Sequence, residues 1–572
     1  LMAFFIALSF LGANQAKADD QIWKSLTKFE KQSADNFGTI LVQSADGRIK
    51  PIDTLSTDIL NKVYRGTNYK GLDANQVILG MIASPQEWQT QKMIYVFHPT
   101  IKKILGMKND DKYATFNQFF VTNQDGGSYK LAKYAEEASR KKPSARNKFD
   151  KDVLKVDERL NICYMVYTGD LLKIIPKIND QSNKWFSPKQ ALTTFPKAEA
   201  EDVRKLLAGY FNGIATGLQN GNWSEANNAI SAIKKYQTMY ASEIIPSQSK
   251  IAAEMFFNKA RIFQRLTPLY LLSGLILLMF VFAKMLKPKL NIKIVTKIMF
   301  WIILLGFTAH TIGLILRGYI DGHAPWSNGY ESMIYIAWAI TLSGIFFSRQ
   351  AVIALSLTSI LAGVTLFVAH LSWMDPQITT LVPVLNSYWL DIHVSVITAS
   401  YGFLGLCALL GFFTLILFIF RQPKANTVRA KEIDRSIIEA TRINEMAMIL
   451  GLSLLTIGNF LGGVWANESW GRYWGWDPKE TWALVSILIF ASVVHFRFVP
   501  KLSNPFAFAV ASTLAYASII MTYFGVNFYL SGMHSYATGD PVPIPTFVYY
   551  TVATVFAVIV LAFRNRHMDK RL

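Results

Sequence analysis

The sequence predicts a mainly α, polytopic membrane helix bundle of about nine helices plus an N-terminal helix end, with a mostly helical extra-cytoplasmic domain. Three observations carry that prediction. Of the 572 residues, 51% are hydrophobic and only 17% are charged. Beyond Leu266 the apolar residues gather into nine runs near the ~20 residues that cross ~30 Å of hydrocarbon. The Lys and Arg residues between those runs fall on alternate loops. Other classes are excluded by the same arithmetic. A disordered chain would hold too few apolar residues, and a secreted mini-protein would be rich in Cys. The net charge of +19 does not indicate nucleic acid, because a nucleic-acid binder would not spend its length on such runs.

The elements follow in chain order. Residue 1 is Leu, and the apolar segment Met2–Gly12 runs into Ala16-Lys17-Ala18, which looks like a signal-peptidase site. No basic segment precedes it. Residues 1–18 are therefore expected to be the outer end of a transmembrane helix whose beginning lies outside this chain, making the chain a fragment or the later part of a longer polypeptide.

Residues 19–262 are expected to form one periplasmic domain. Ala198–Gln219 and Ser224–Glu243 show helical apolar spacing, with Ser224 as N-cap. Asp46-Gly47 signals a turn ahead of Arg48–Asp53. The charged stretch Arg140–Lys155 reads as solvated surface or loop. His98 stands alone and reads as structural. No phosphate loop, metal spacing or nucleophile constellation is present here. Residues 1–260 hold 35 Lys/Arg against 26 Asp/Glu, or +9, and residues 261–572 hold 23 against 13, or +10.

The nine runs lie near 266–286, 294–316, 330–347, 351–371, 393–420, 443–465, 481–498, 506–530 and 546–563. Lys284, Lys287, Lys289 and Lys293 cluster around the first loop. Arg421 to Arg442 follow the fifth run, Arg497 and Lys501 the seventh, and Arg564 to Arg571 the ninth. The positive-inside rule assigns all of these to the cytoplasmic face. By parity the 19–262 domain lies outside the cytoplasm. The two cysteines, Cys163 and Cys407, form no C-x-x-C and read as small hydrophobes.

The unusual residues then fall on the outer face. The sixth-to-seventh loop, placed at 467–482, holds Trp470, Arg472, Trp474, Trp476, Asp477, Lys479 and Trp482. An aromatic belt at the interface explains an isolated pair of such rings. Four of them separated by glycines make a flat surface that a backbone can approach closely, and Arg472 and Lys479 suit carboxylates. A large planar acidic amphiphile, a porphyrin, fits. His393 and His534 lie at the same outer depth on separate helices and could approach one iron from opposite faces. Each taken alone also reads as a helix cap or polar anchor. His495 lies deep in the seventh run, where ionisable residues are functional-site candidates, and no partner is identifiable at its depth. His310 and His370 lie in the outer halves of their helices, while His323 and His567 read as surface residues.

The stretch W-G-R-Y-W-G-W-D-P-K-E-T-W-A-L from Trp470 resembles the tryptophan-rich WWD signature of haem-handling proteins in cytochrome c maturation. Gly322–Asn328 with Tyr330-Glu331-Ser332, Leu381–Leu390 running into Ile392–Ser395, and Ser531–Tyr536 narrow the likeness to the CcsA half of system II cytochrome c synthases, often fused as CcsBA. Together they cover residues from about 300 to 572. G-R-I-K-P-I-D-T-L, within 19–262, resembles the region that precedes CcsA in fused forms, less specifically.

The resemblance implies a bacterial inner-membrane haem lyase, multi-pass, with residues 263–572 as its CcsA-like domain. Haem b would be bound as substrate by His393 and His534, both catalytic and iron-ligating, beside Trp470, Arg472, Trp474, Trp476, Asp477 and Trp482. His495 would be one of two membrane-embedded iron ligands. The other comes from the CcsB half in the family, and no equivalent is present here. Implied partners are apocytochrome c with its C-x-x-C-H motif, a CcsB-like half or preceding segment, thiol-reducing proteins and the lipid bilayer. Haem would move from the inner site to the WWD surface, where two substrate thiols add across its vinyls and positioning does most of the catalysis. A haem exporter that delivers haem without ligation is the rival reading. A quinol-oxidising cytochrome would need paired histidines at matched depth, and a secondary transporter would need repeats.

Overall fold

The computed structural model describes residues 29–123, 126–142, 146–178, 180–371, 374–381, 385–530, 532 and 544–567. The expected helix end at 1–18 and His534 lie outside the described residues. The chain divides into two compact units, one ending at Lys259 and the other beginning at Ala260.

The first unit is helical with five two-stranded antiparallel sheets among its described residues. The Asp46-Gly47 signal is a hairpin turn joining β1 (Leu41–Gln43) to β2 (Ile49–Pro51), with Gly47 in the left-handed region at φ 88°. Phe37, Val77, Trp88, Leu160, Tyr210 and Ile230 are among the side chains of one continuous core.

Two local expectations change. Ser224 is the first residue of helix Ser224–Ala241 rather than its cap, and its hydroxyl donates to Asn222 Oδ1 at 2.7 Å. The 140–155 stretch is not simply a loop. Asn147 caps helix Lys148–Tyr167 with a capping box, and Lys141 pairs with buried Asp150 at 2.9 Å. His98 is structural, its Nδ1 accepting the Thr100 N–H at 3.2 Å.

The segment G-R-I-K-P-I-D-T-L holds the last helix of this unit, Gln248–Ala260. Arg48 and the Thr54 hydroxyl both reach the Glu254 carboxylate at 2.7 Å. Asp53 accepts from Asn75 at 2.8 Å and from Asn258 at 2.9 Å. The carboxylates of Glu254 and Asp53 thus each accept two bonds, as buried charges require.

The second unit contains α1 (Ile262–Leu286), α2 (Lys293–Asp321), α3 (Gly329–Phe347), α4 (Val352–Ala369), α5 (Tyr388–Phe420), α6 (Val428–Trp470), α7 (Pro478–Val494), α8 (Pro505–Ile520) and α9 (Thr546–Phe563). Nine helices among the described residues are long and apolar enough to cross a membrane. The unit is thus a polytopic helical bundle. α5 is its centre, packing on α3, α6, α8 and α9. Small residues permit close approach, as membrane bundles require: a Cβ on Gly402 of α5 would sit 2.8 Å from Ile340 N of α3.

α6 departs most from the hydropathy boundaries. It begins at Val428, inside the basic segment expected as loop, with Thr427 as its N-cap. Lys, Arg and Glu are good helix formers, and Arg435 and Glu439 pair at i,i+4. Only its middle needs to be apolar. α6 also ends later, at Trp470, so the expected 467–482 loop shortens to Gly471–Asp477. Gly471 terminates the helix at φ 70°, its N–H bonding Asn467 O at 2.9 Å.

Candidate functional site

A cavity of about 380 Å³ opens at the bundle end that carries the Trp-rich segment. Its walls come from the Trp326–Gly329 turn, α5, α6, the Gly471–Asp477 loop, the first turn of α7 and the residues after α8. Aromatic rings dominate them: Trp326, Tyr401, Trp465, Tyr473, Trp474 and Tyr523. A hollow of mainly apolar surface with polar groups such as His393, Asn459, Lys479, Glu480 and Asn527 set into it is the usual form of a small-molecule site.

His393 projects into this space from the second turn of α5. Its Nδ1 lies 2.6 Å from Gly458 O on α6. A carbonyl can only accept, so Nδ1 carries the proton and Nε2 of the neutral ring carries the lone pair. This is the usual arrangement of a metal-binding imidazole, whose orientation a backbone carbonyl fixes. Gly462 makes the slot: a Cβ there would stand 2.6 Å from His393 Cε1.

The Trp-rich segment divides its residues among different tasks. Trp474 lines the cavity and meets Trp476 edge-to-face at 5.8 Å. Trp476 is 71% exposed, at φ 57°, a conformation that is strained for a bulky residue and recurs at functional sites. Trp470 packs on Trp465, which is buried in the cavity wall, at 4.8 Å. Arg472 is exposed and lies against Gly475 rather than in the cavity wall.

Asp477 is the N-cap of α7, accepting the Lys479 N–H at 3.2 Å. Glu480 completes a capping box and also accepts the Gly475 N–H at 2.8 Å. The D-P-K-E run therefore starts a helix and anchors the loop that carries Trp474. Trp482 faces a different hollow, an open apolar groove between α7 and α8 of about 540 Å³ that reaches Phe496. Fourteen residues of helix separate those two positions, about 21 Å.

Of the residues expected at the site, His393 and Trp474 are brought together in the cavity. Trp470, Arg472, Trp476 and Asp477 surround it or support its wall, and Trp482 does not line it. His534 lies outside the described residues. Gly532 is described, and it passes against Asp477 so closely that a Cβ would collide with the carboxylate. His495 ends α7. It is exposed, and its Nδ1 donates to Ala491 O of its own helix at 2.7 Å.

Sequence reasoning missed several wall residues. Tyr523 and Thr522 come from a π-helical turn at Met521–Gly525, a device that often marks functional positions and has no residue signature. Thr522 bonds Ser486 at 3.1 Å and Trp482 O at 3.2 Å, and Tyr523 reaches Gly329 O at 3.1 Å. Asn459 and Asn527 were missed as well.

Two ion pairs brace the turn that bears Trp326. Arg317 and Glu331 pair at 2.7 Å with both side chains 1% exposed. Glu331 also accepts from Ser327 N and Oγ, each at 2.8 Å, while Arg317 donates to Pro376 O and Gln377 O at 2.9 and 3.1 Å. Glu331 lies in the quoted Y-E-S triplet, so that motif holds the cavity wall. His323, expected on the surface, is instead half-buried and 2.8 Å from Asp321. Asp321 pushes its imidazole up to about 9.

The family model described as "Cytochrome C assembly protein" matches residues 326–534, which span this cavity. The chain is 42% identical to "Protein NrfI" of Wolinella succinogenes, over 98% of this chain and 61% of that protein. It is 34% identical to "Cytochrome c biogenesis protein CcsA" of Pyropia yezoensis and 36% to that of Synechococcus, covering 41% and 40% of this chain and 85% and 81% of those proteins. The chain thus spans about three-fifths of the Wolinella relative's length.

Proposed function

Because the chain belongs to the cytochrome c assembly family of CcsA-type proteins, we propose that it holds haem b in the aromatic cavity and promotes its thioether attachment to apocytochrome c. The observation that carries this reading is His393, with Nδ1 tied to Gly458 O and the ring in a cavity walled by Trp326, Trp465, Trp474, Tyr401 and Tyr523. A planar apolar macrocycle with an iron centre suits such a site. His393 Nε2 would supply one axial bond and His534 the other. The approach of Gly532, two residues from His534, to Asp477 supports a second ligand from that segment.

In this reading the cavity lies on the outer face of a bacterial inner membrane, and residues 19–262 form a periplasmic domain ahead of the membrane domain at 263–572. Haem reaches His495 from the cytoplasmic side, with the second inner ligand supplied by another segment or chain. The α7–α8 groove, from Phe496 beside His495 to Trp482, supports an outward path. An apocytochrome C-x-x-C-H segment then approaches, and its His replaces one axial ligand. Each thiol adds across a vinyl group: the sulfur bonds one carbon and the hydrogen goes to the other, with no net oxidation. Rings and ligands contribute by holding vinyls and thiols in register. Thiol-reducing proteins would keep the substrate cysteines available.

The test is co-expression of the chain, with any companion segment, and a C-x-x-C-H apocytochrome. Covalently haem-bearing cytochrome after denaturing electrophoresis is the expected result. Haem bound to the chain with no covalent product in that assay identifies an exporter instead.

A further inference from the structure

We propose that Lys479 recognises a carboxylate of the bound ligand, so that the cavity selects an acid-bearing porphyrin over its neutral ester; this rests on the haem-binding reading above. Lys479 lines the cavity. Its ammonium is 3.3 Å from Asn527 Oδ1, a neutral acceptor, and no carboxylate among the described residues lies within the 4.0 Å of an ion pair. Asp477 attracts the ammonium and Glu480 shares the cavity lining, but neither pairs with it, so a carboxylate at contact distance would gain from the low polarity that strengthens attraction there.

Its position sharpens the point. Lys479 is in the first turn of α7, where the helix dipole favours acids and opposes cations. Asp477 and Glu480 obey that preference, but their carboxylates already accept backbone N–H groups of Gly475, Asp477 and Lys479. Lys479 is the exception in its turn, and an incoming carboxylate would complement both the ammonium and the helix end. Arg472, the other cation of the Trp-rich segment, lies outside the cavity lining. The geometry therefore assigns carboxylate recognition to Lys479, with Asn527 orienting its ammonium.

The experiment is an absorption titration of the purified chain, stripped of haem, with haem and separately with haem dimethyl ester. Wild type should bind the diacid about tenfold to a hundredfold tighter, the span of a charge-assisted hydrogen bond. Lys479→Gln should bind both as wild type binds the ester, which also shows that the variant's cavity is intact. Lys479→Arg should keep the preference. Equal binding of diacid and ester by wild type, or a preference that survives in Lys479→Gln, overturns the assignment and leaves haem binding standing. Binding of neither compound by wild type overturns the haem reading and this assignment with it.

Discussion

His393 and His495 share one local device and differ in everything around it. Each has Nδ1 held by a backbone carbonyl, which in a neutral ring leaves Nε2 with the lone pair. His393 bonds across to a neighbouring helix at Gly458, inside a cavity built from six parts of the second unit. His495 bonds back to Ala491 of its own helix and is exposed at the helix end. The first is a formed pocket that can hold a ligand by shape. The second, exposed at a helix end, would be half a site in the proposed reading and would need another surface to close it.

That difference orders the expected effects. The largest is His393→Gly, which should reduce covalent cytochrome product about a hundredfold or more, with recovery when imidazole is supplied in the medium. Full product without imidazole would remove His393 from the ligand set. Next is Gly462→Val, which places a Cβ 2.6 Å from His393 Cε1, too close for the ring to keep its position. Haem retained after purification should drop about tenfold, and overpacking should lower stability by about 1–3 kcal/mol. Unchanged haem content would mean that the slot does not position the ring.

His495→Ala should lower co-purified haem only a few-fold, while axial ligation at the His393 site persists in the spectrum. If haem content does not move, the inner site is wrong. The smallest effect belongs to His323, away from both. Its folded pKa, about 9, is raised above the ~6.5 of a free imidazole. The pair with Asp321 therefore stabilises fully below about pH 6.5, and the contribution fades as pH rises through about 9. His323→Gln should lower thermal stability at pH 6 by about 1 kcal/mol or less and flatten its decline toward pH 10.

Much of this was readable from residue order. Hydropathy located the nine membrane-length apolar helices found among the described residues, because lipid demands apolar length and satisfied backbone bonds from every span. The Trp-rich segment pointed to the end of the bundle where the aromatic cavity opens, and His393, singled out with it, lines that cavity. The limits of α6 were less legible, because charged residues extend a helix without adding hydropathy. Individual roles in the segment were also hidden. Trp470 and Asp477 look equivalent to Trp474 in the sequence, yet one packs on Trp465 and the other caps α7.

The chain alone therefore determined membrane class, the nine apolar spans among the described residues, family and the end of the bundle that holds the cavity, since each depends on composition, period or motif along a single strand. Only the folded bundle decided that Gly458 and Gly462 of α6 make the slot for His393 of α5, that a π-turn after α8 supplies Tyr523, and that Lys479 rather than Arg472 lines the cavity. Those relations join residues tens of positions apart or turn on which way a side chain faces. They arise from helix packing and loop closure, and no local pattern records either.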